Sequence, residues 1–235
     1  MGKPSQLPKK YTPQRHLAQP ILFPPESDWV APQIADLPAW RGQRRVGFDV
    51  ETRDPQLEKL GPGPRRDGHI VGFSFAFECG QKFYVPVRHA IGGNTEGDAL
   101  GWLREQAKHF DGELVGGNLQ YDLDFAEQDN VLFSKVRFFR DVQVAEPLID
   151  ENHFKYGLDA IAERRGFPLK NEALLKEAAE LHGYDPKGDI WRLPAKFVGP
   201  YAEDDALIPL LILQGQDKDI AEQKLQRVWD VESQV

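Results

Sequence analysis

The stretch Val46-Gly47-Phe48-Asp49-Val50-Glu51-Thr52 combines an apolar run with two acids at its far end. Its pattern predicts a buried strand, and because residues i and i+2 of a strand point to the same face, Asp49 and Glu51 project together. Two adjacent carboxylates in apolar surroundings repel each other and are costly to desolvate unless a cation lies between them. The stretch therefore indicates either a cation site or a strand end whose two acids are hydrated.

The length and composition bound the class of protein. With 235 residues, the chain can form one large domain, or a domain with an arm. The mean hydropathy is −0.52 and no run approaches about 18 apolar residues, so we expect no membrane span. No signal peptide is recognisable, and Cys79, the single cysteine, cannot form an internal disulfide. These features predict a cytoplasmic protein.

The net charge of −8 argues against a protein that coats duplex nucleic acid through a broad basic face. It does not exclude a nucleic-acid enzyme whose acids are concentrated at a metal site, because bound cations would cancel that charge. A nuclease with an acidic centre therefore remains compatible with the composition.

The order of elements predicts an α/β domain with a mixed central β-sheet flanked by helices. The proline-rich residues 1–40 indicate an N-terminal arm, held by Trp29 and Trp40, before a domain over 41–215 and a C-terminal helix over 216–235. The predicted strands lie at about 44–51, 69–77, 82–87, 113–118 and 137–141. The predicted helices lie at about 95–110, with Thr95 as a possible N-cap, at 121–128, and over most of the chain after Val142.

Three acid-bearing segments recur at the ends of predicted elements. They are Asp49-Val50-Glu51-Thr52, Gly117-Asn118-Leu119-Gln120-Tyr121-Asp122-Leu123-Asp124 and Tyr201-Ala202-Glu203-Asp204-Asp205-Ala206-Leu207-Ile208. Carboxylates are hard oxygen ligands suited to Mg²⁺ or Mn²⁺, and four acids can hold two such ions. A pair of ions in this arrangement supports phosphodiester cleavage.

The helical register selects among these side chains. Tyr201 and Asp205 are four residues apart and share a helix face, whereas Asp204 is rotated by about 100°. Tyr201 can therefore overhang the site and hydrogen-bond a water, although a packed aromatic at a helix start is the alternative. Asp122 and Asp124 are about 200° apart, so only one of them faces the site.

In order, Asp-x-Glu-Thr at 49–52, Asn-x-x-Tyr-Asp at 118–122 and Tyr-x-x-x-Asp at 201–205 resemble the three motifs of the DEDD exonuclease superfamily. The tyrosine of the third motif is that of the proofreading domain of family A, polymerase I-type, DNA polymerases. The histidine branch would carry a histidine where Pro200 stands. The resemblance covers roughly residues 42–215 and is strongest to bacteriophage members.

The resemblance implies a ribonuclease H-like fold and a metal-dependent 3′–5′ exonuclease that releases deoxynucleoside 5′-monophosphates by a two-metal mechanism. The implied cofactors are two divalent ions, Mg²⁺ or Mn²⁺. The implied partners are a single-stranded DNA 3′ end and a polymerase domain in the same or a separate chain, in the host cytoplasm if the protein is viral. The implied site residues are Asp49, Glu51, Asp122 and Asp205 as metal ligands, Tyr201 to orient the attacking water, and Thr52, Asn118 and Tyr121 as DNA contacts.

Two departures from the motif pattern affect the DNA contacts. Gly117 stands where relatives often carry a histidine or glutamine, and Leu57 is the nearest candidate for an apolar wedge after Thr52. Two other functions remain open: an RNA-trimming exoribonuclease of the same superfamily, and a non-catalytic docking domain that keeps the fold.

Overall fold

A computed structural model describes residues 25–234 of the chain. Within them, five strands form one sheet: Arg45–Arg53 (β1), His69–Phe77 (β2), Lys82–Pro86 (β3), Glu113–Gly116 (β4) and Phe138–Asp141 (β5). The α-helices of the same residues are Leu57–Leu60 (α1), Ala99–His109 (α2), Leu119–Gln128 (α3), Val142–Ile149 (α4), Leu158–Arg165 (α5), Ala173–His182 (α6), Ala195–Glu222 (α7) and Gln226–Glu232 (α8).

The sheet is mixed, with the strand order β3-β2-β1-β4-β5. β1 and β2 pair antiparallel, as do β2 and β3, whereas β4 runs parallel to β1 and to β5. β3 forms an edge, where Pro86 is tolerated because an edge strand leaves one row of N–H groups unpaired. The predicted mixed sheet with flanking helices is confirmed.

β1 divides the core into two faces because successive side chains alternate. Val46, Phe48 and Val50 are buried in the aromatic core that α2 and α3 cover. Gly47 faces α7, and a Cβ at this position would overlap the carbonyl oxygen of Ala206. The long helix α7 therefore crosses the middle of the sheet at close range, on the face that also carries Asp49.

The tryptophans of the predicted arm both contact the domain. Trp40 is fully buried and stacks on Phe133, with ring centroids 6.2 Å apart. Trp29 donates its indole N–H to Glu203 on α7 over 2.8 Å and lies 6.0 Å from the ring of Tyr84. Residues 1–24 of the predicted arm lie outside the described residues.

Two predicted boundaries are wrong. Thr95 is not the cap of α2, because the helix begins at Ala99 and the Asp98 carboxylate accepts a hydrogen bond from the Gly101 N–H. Residues 216–235 do not form one helix, since α7 ends at Glu222 and Lys224 has a positive φ of 61° before α8 begins. The described part of the chain contains no helix that is both long and apolar enough to cross a membrane.

Candidate active site

The carboxyl half of β1 presents two of the predicted site residues. Asp49 and Glu51 are half-buried and point to the α7 face of the sheet. The register of β1 with β2 shifts between Glu51 and Thr52, so Glu51 pairs with Gly72 while Thr52 pairs with Ile70. Val71 of β2 is thus left without a partner on β1, a bulge of the kind that increases the local twist and re-aims nearby side chains. The two acids and Thr52 therefore lie beside this bulge, and the pairing of β1 with β2 continues through Thr52 and Arg53.

The helix α7 brings a third carboxylate to this place. Asp205 is 6% exposed, and one carboxylate oxygen from each of Asp49, Glu51 and Asp205 lies within 4.8 Å of the other two. Three hard oxygen donors at this spacing suit an ion of the Mg²⁺ or Mn²⁺ kind. The donor set therefore fits a divalent metal.

The fourth predicted ligand, Asp122, lies in the first turns of α3. It is buried, and its Oδ1 accepts a hydrogen bond from the backbone N–H of Val50 over 3.3 Å. This contact places Asp122 against β1 at the residue between Asp49 and Glu51. Asp124 is half-buried and has no such contact with β1, in agreement with the predicted register.

The strand-to-helix turn before Asp122 is held by two backbone features. Asn118 adopts a left-handed conformation with φ of 63°, which Asn tolerates better than most residues. The next N–H, that of Leu119, donates to the Asp141 carboxylate over 2.9 Å. Together they direct the first turn of α3, and with it Asp122, towards β1.

The acids are held in an environment that disfavours their charge. Burial, followed by the negative charge of Asp205, raises the pKa of Asp49 to about 8. Burial and the neighbouring acids also raise the pKa of Glu51 and of Asp122 well above the usual range. Four carboxylates that repel one another in this way are a typical arrangement for cation binding.

A lysine that the sequence did not single out lies against the cluster. The Lys170 Nζ is 2.6 Å from Oδ1 of Asp205 and 5.3 Å from the centroid of the Tyr201 ring. Lys170 belongs to the connection between α5 and α6, where Pro168 interrupts the helical pattern and no motif marks a functional residue. Only the folded chain brings it to the acids.

Tyr201 lies one helical turn before Asp205 and is buried. Burial, then the charges of Asp205 and Glu51, raise the pKa of its phenol, so the hydroxyl keeps its proton at neutral pH. The neighbouring Asp204 points away and pairs with Lys82 over 2.6 Å. The structure thus places Tyr201 and Asp205 on one face and Asp204 on another.

The three predicted DNA contacts line a single groove of about 370 Å³ beside the acids. The hydroxyls of Thr52 and Tyr121 are 2.7 Å apart and share a hydrogen bond, whereas Asn118 is exposed. Leu57 lines the same groove and is 42% exposed. The residues of the groove are Val50, Glu51, Thr52, Leu57, Pro62, Asn118, Tyr121, Lys187, Ile190 and Tyr201.

The chain shares extensive sequence with a polymerase. It is 53% identical over 224 residues to a DNA-directed DNA polymerase of Pseudomonas phage M6, a match that covers 94% of this chain and 34% of the relative. The chain therefore spans about a third of that relative's length. No protein-family model matches the sequence.

The fold is shared with solved structures of low sequence identity. Brucella melitensis NrnC bound to pGG superposes with a TM-score of 0.55 at 12% identity, over 83% of each chain. The same protein with bound Mg²⁺ gives a TM-score of 0.53, also at 12% identity and over 83% of each chain. The apo form of a nuclease gives 0.54 at 14% identity, over 82% of this chain and 79% of the other. The fold of this chain is the ribonuclease H-like fold that its motifs predicted.

Proposed function

We propose that this chain, a homologue of a phage DNA-directed DNA polymerase, is a proofreading 3′–5′ exonuclease unit that removes nucleotides from single-stranded DNA ends. The observation that carries the proposal is the convergence of Asp49, Glu51 and Asp205 within 4.8 Å, next to a groove lined by Tyr121. The three motifs are far apart in the sequence, yet the fold gathers their acids at one end of β1. These carboxylates raise one another's pKa, and a docking domain without catalysis has no physical reason to keep such groups together.

The metal ligands in this proposal are Asp49, Glu51, Asp122 and Asp205. Three of them, Asp49, Glu51 and Asp205, bring oxygens within 4.8 Å of one another, and Asp122 would complete the ligands of two Mg²⁺ or Mn²⁺ ions; a related fold has been solved with bound Mg²⁺. Such ions supply charge stabilisation for the phosphoryl oxygens and for the attacking and leaving oxygens of an in-line displacement. Asp122 fixes its own orientation through the Val50 N–H, which leaves the rest of its carboxylate for coordination.

The proposed role of Tyr201 is to position the attacking water. Because its pKa is raised, the phenol does not serve as a general base at neutral pH. It remains a hydrogen-bond donor and acceptor held beside Asp205 and Glu51. A hydroxyl fixed in this way can orient a water without reorganising during the reaction.

The groove beside the acids is the proposed site of the terminal nucleotide. Thr52, Asn118 and Tyr121 offer hydroxyl, amide and backbone groups to the sugar and phosphate, and Leu57 offers an exposed apolar side chain to a base. A second groove of about 550 Å³ shares Thr52, Leu57 and Tyr121 and continues to Trp191. This path suits the next nucleotides of a single strand better than a duplex, whose binding requires a broad basic face.

The partner in the proposal is a polymerase domain, in the same chain or in a separate one, because the phage relative is about three times as long as the matched region. The place of action would be the cytoplasm of the infected host. The products would be deoxynucleoside 5′-monophosphates.

The test is a nuclease assay on 5′-labelled single strands of DNA and of RNA, with Mg²⁺, Mn²⁺ or chelator. We expect a ladder that shortens from the 3′ end of DNA with either metal and no cleavage in chelator. Asp49→Ala and Asp205→Ala should abolish cleavage, while Asp124→Asn, which changes an acid that faces away from β1, should retain it. Equal activity of the Asp205→Ala variant and the wild type would overturn the proposal, and preference for RNA would replace its substrate.

A further inference from the structure

Lys170 is held inside the acid cluster rather than on the surface. Its side chain is 11% exposed, and its Nζ contacts Oδ1 of Asp205 at 2.6 Å. The same ammonium lies close enough to Asp49 and Asp159 to interact with their charges. A lysine is seldom buried unless it is paired, so this position is specific.

The segment that carries Lys170 is anchored by the residue next to Asp205. The backbone N–H of Asn171 donates to Oδ2 of Asp204 over 3.3 Å, while Oδ1 of Asp204 contacts Lys82 on β3. Two consecutive acids of α7 thus hold two consecutive residues of the α5–α6 connection. The fold therefore directs the Lys170 ammonium to Asp205.

The ammonium and a divalent ion would use the same carboxylate. Oδ1 of Asp205 already contacts Lys170, and Asp205 is one of the three acids whose oxygens lie within 4.8 Å of one another. Two cations next to one carboxylate repel each other, so binding of one disfavours binding of the other.

We propose that Lys170 is a built-in counter-ion that neutralises the acid cluster in the metal-free protein and is exchanged for a divalent ion on the Asp205 side when metal binds. The inference rests on the proposed function, since it requires that the cluster holds metal. Lys170 then stabilises the metal-free state and sets the metal concentration at which the Asp205 side is filled. It acts through Asp205 and is a positioning residue.

The first test measures metal binding instead of cleavage. Mn²⁺ is titrated into the whole chain, with calorimetry and electron paramagnetic resonance as readouts, for the wild type, Lys170→Gln and Lys170→Met. Both variants remove the charge that competes with the metal. The Mn²⁺ ion that binds more weakly, on the Asp205 side, should then bind about tenfold more tightly or better, because the ion pair between Lys170 and Asp205 no longer has to be broken. Lys176→Gln is the matched control, since Lys176 lies in the nearby helix α6, pairs with Glu172 and is 61% exposed. Its Mn²⁺ affinity should equal that of the wild type.

The second test needs no variant and covers the case in which the Lys170 variants do not fold. Lysines of the wild-type chain are labelled by reductive methylation in chelator and in saturating Mn²⁺, and the sites are read by mass spectrometry. Lys170 should be protected in chelator and become reactive with Mn²⁺, whereas Lys176 should react equally in both.

The outcomes separate the inference from the function on which it rests. If Mn²⁺ binds but its affinity is unchanged in both Lys170 variants, or if Lys170 stays protected in saturating Mn²⁺, the counter-ion inference is overturned and the metal site stands. If no Mn²⁺ binds to the wild type or to any variant, the proposed metal site is overturned and the inference with it.

Discussion

Gly47 of β1 contacts the backbone of Ala206 in α7 so closely that a Cβ at Gly47 would overlap the Ala206 carbonyl oxygen. Gly47 and Asp49 lie on the same face of β1, and Asp205 directly precedes Ala206. The close approach at Gly47 therefore sets the distance between the two acids of the strand and the acid of the helix. The absence of a side chain at Gly47 therefore sets the spacing of the acids that are proposed to bind metal.

Replacement of Gly47 by alanine should separate Asp205 from Asp49. The added Cβ pushes α7 from the sheet, and overpacking of this kind costs about 1–3 kcal/mol in the free energy of unfolding. We expect the midpoint of urea unfolding to fall. We also expect the Mn²⁺ affinity to fall by more than the loss of stability explains. Gly157→Ala is the control, because no atom lies within 4 Å of a Cβ at Gly157 and its φ of −66° suits alanine. A Gly47→Ala variant with normal metal binding would show that α7 is free to shift without moving Asp205.

Replacement of Tyr201 by phenylalanine should lower kcat and leave metal binding unchanged. The ring still fills its buried position, whereas the hydroxyl that is proposed to orient the water is lost. A hydrogen bond of about 1.5–3 kcal/mol in the transition state corresponds to a loss of about tenfold to a hundredfold in rate. Single-turnover kinetics and Mn²⁺ titration would separate the two effects. If the metal affinity fell in parallel with kcat, Tyr201 would act on the ligands and not on the water.

Most of the fold, and the identity of the acids, follows from local patterns. The strands β1 and β2 are marked by apolar runs, and helical register separates Asp205 from Asp204 and shows that Asp122 and Asp124 cannot both face the site. The resemblance to the exonuclease motifs then selects Asp122. These signals depend only on residues that are close together in the sequence, so they can be recognised without a structure.

Three features of the site could not be predicted because they arise from contacts between distant segments. The importance of Gly47 depends on the packing of α7 against β1, and that of Lys170, which lies in the connection between α5 and α6, depends on its contact with Asp205. The bulge at Val71, opposite Glu51 and Thr52, depends on the pairing of β1 with β2. The start of α2 was misplaced because the Thr95 N–H bonds to the Pro86 carbonyl, a tertiary contact that keeps this residue out of the helix.

The metal-free protein should lose stability as the pH rises. The pKa of Asp49 is raised from 3.8 to about 8, so the folded state binds more protons than the unfolded state within that window. Its contribution to stability is complete below pH 3.8 and is lost as the pH approaches 8. His89 contributes in the opposite direction, because burial lowers its pKa from 6.5 to about 4 and stability is lost as the pH falls through that range. The acids therefore dominate the pH dependence above 6.5.

Thermal unfolding in chelator between pH 6.5 and 8 would measure this effect. The melting temperature of the wild type should fall across this range. The melting temperature of the Asp49→Asn variant should fall less, because one titrating acid is removed. Addition of Mn²⁺ at pH 8 should raise the melting temperature of the wild type again and should raise that of the Asp49→Asn variant less. Equal slopes for the two proteins in chelator would mean that Asp49 is already ionised near pH 6.5.

Trp29 should support the helix that carries Tyr201 and Asp205. Its ring packs against Gly199, where a Cβ would overlap the indole, and its N–H donates to Glu203. Trp29→Ala should lower the free energy of unfolding by about 2–3 kcal/mol, less than a fully buried tryptophan because the side chain is half-buried. Trp29→Phe keeps most of the packing and loses only the hydrogen bond, so a cost of about 1 kcal/mol is expected. Urea unfolding of the wild type and the two variants checks this order. An equal loss of stability in Trp29→Phe and Trp29→Ala would assign the whole effect to the hydrogen bond with Glu203.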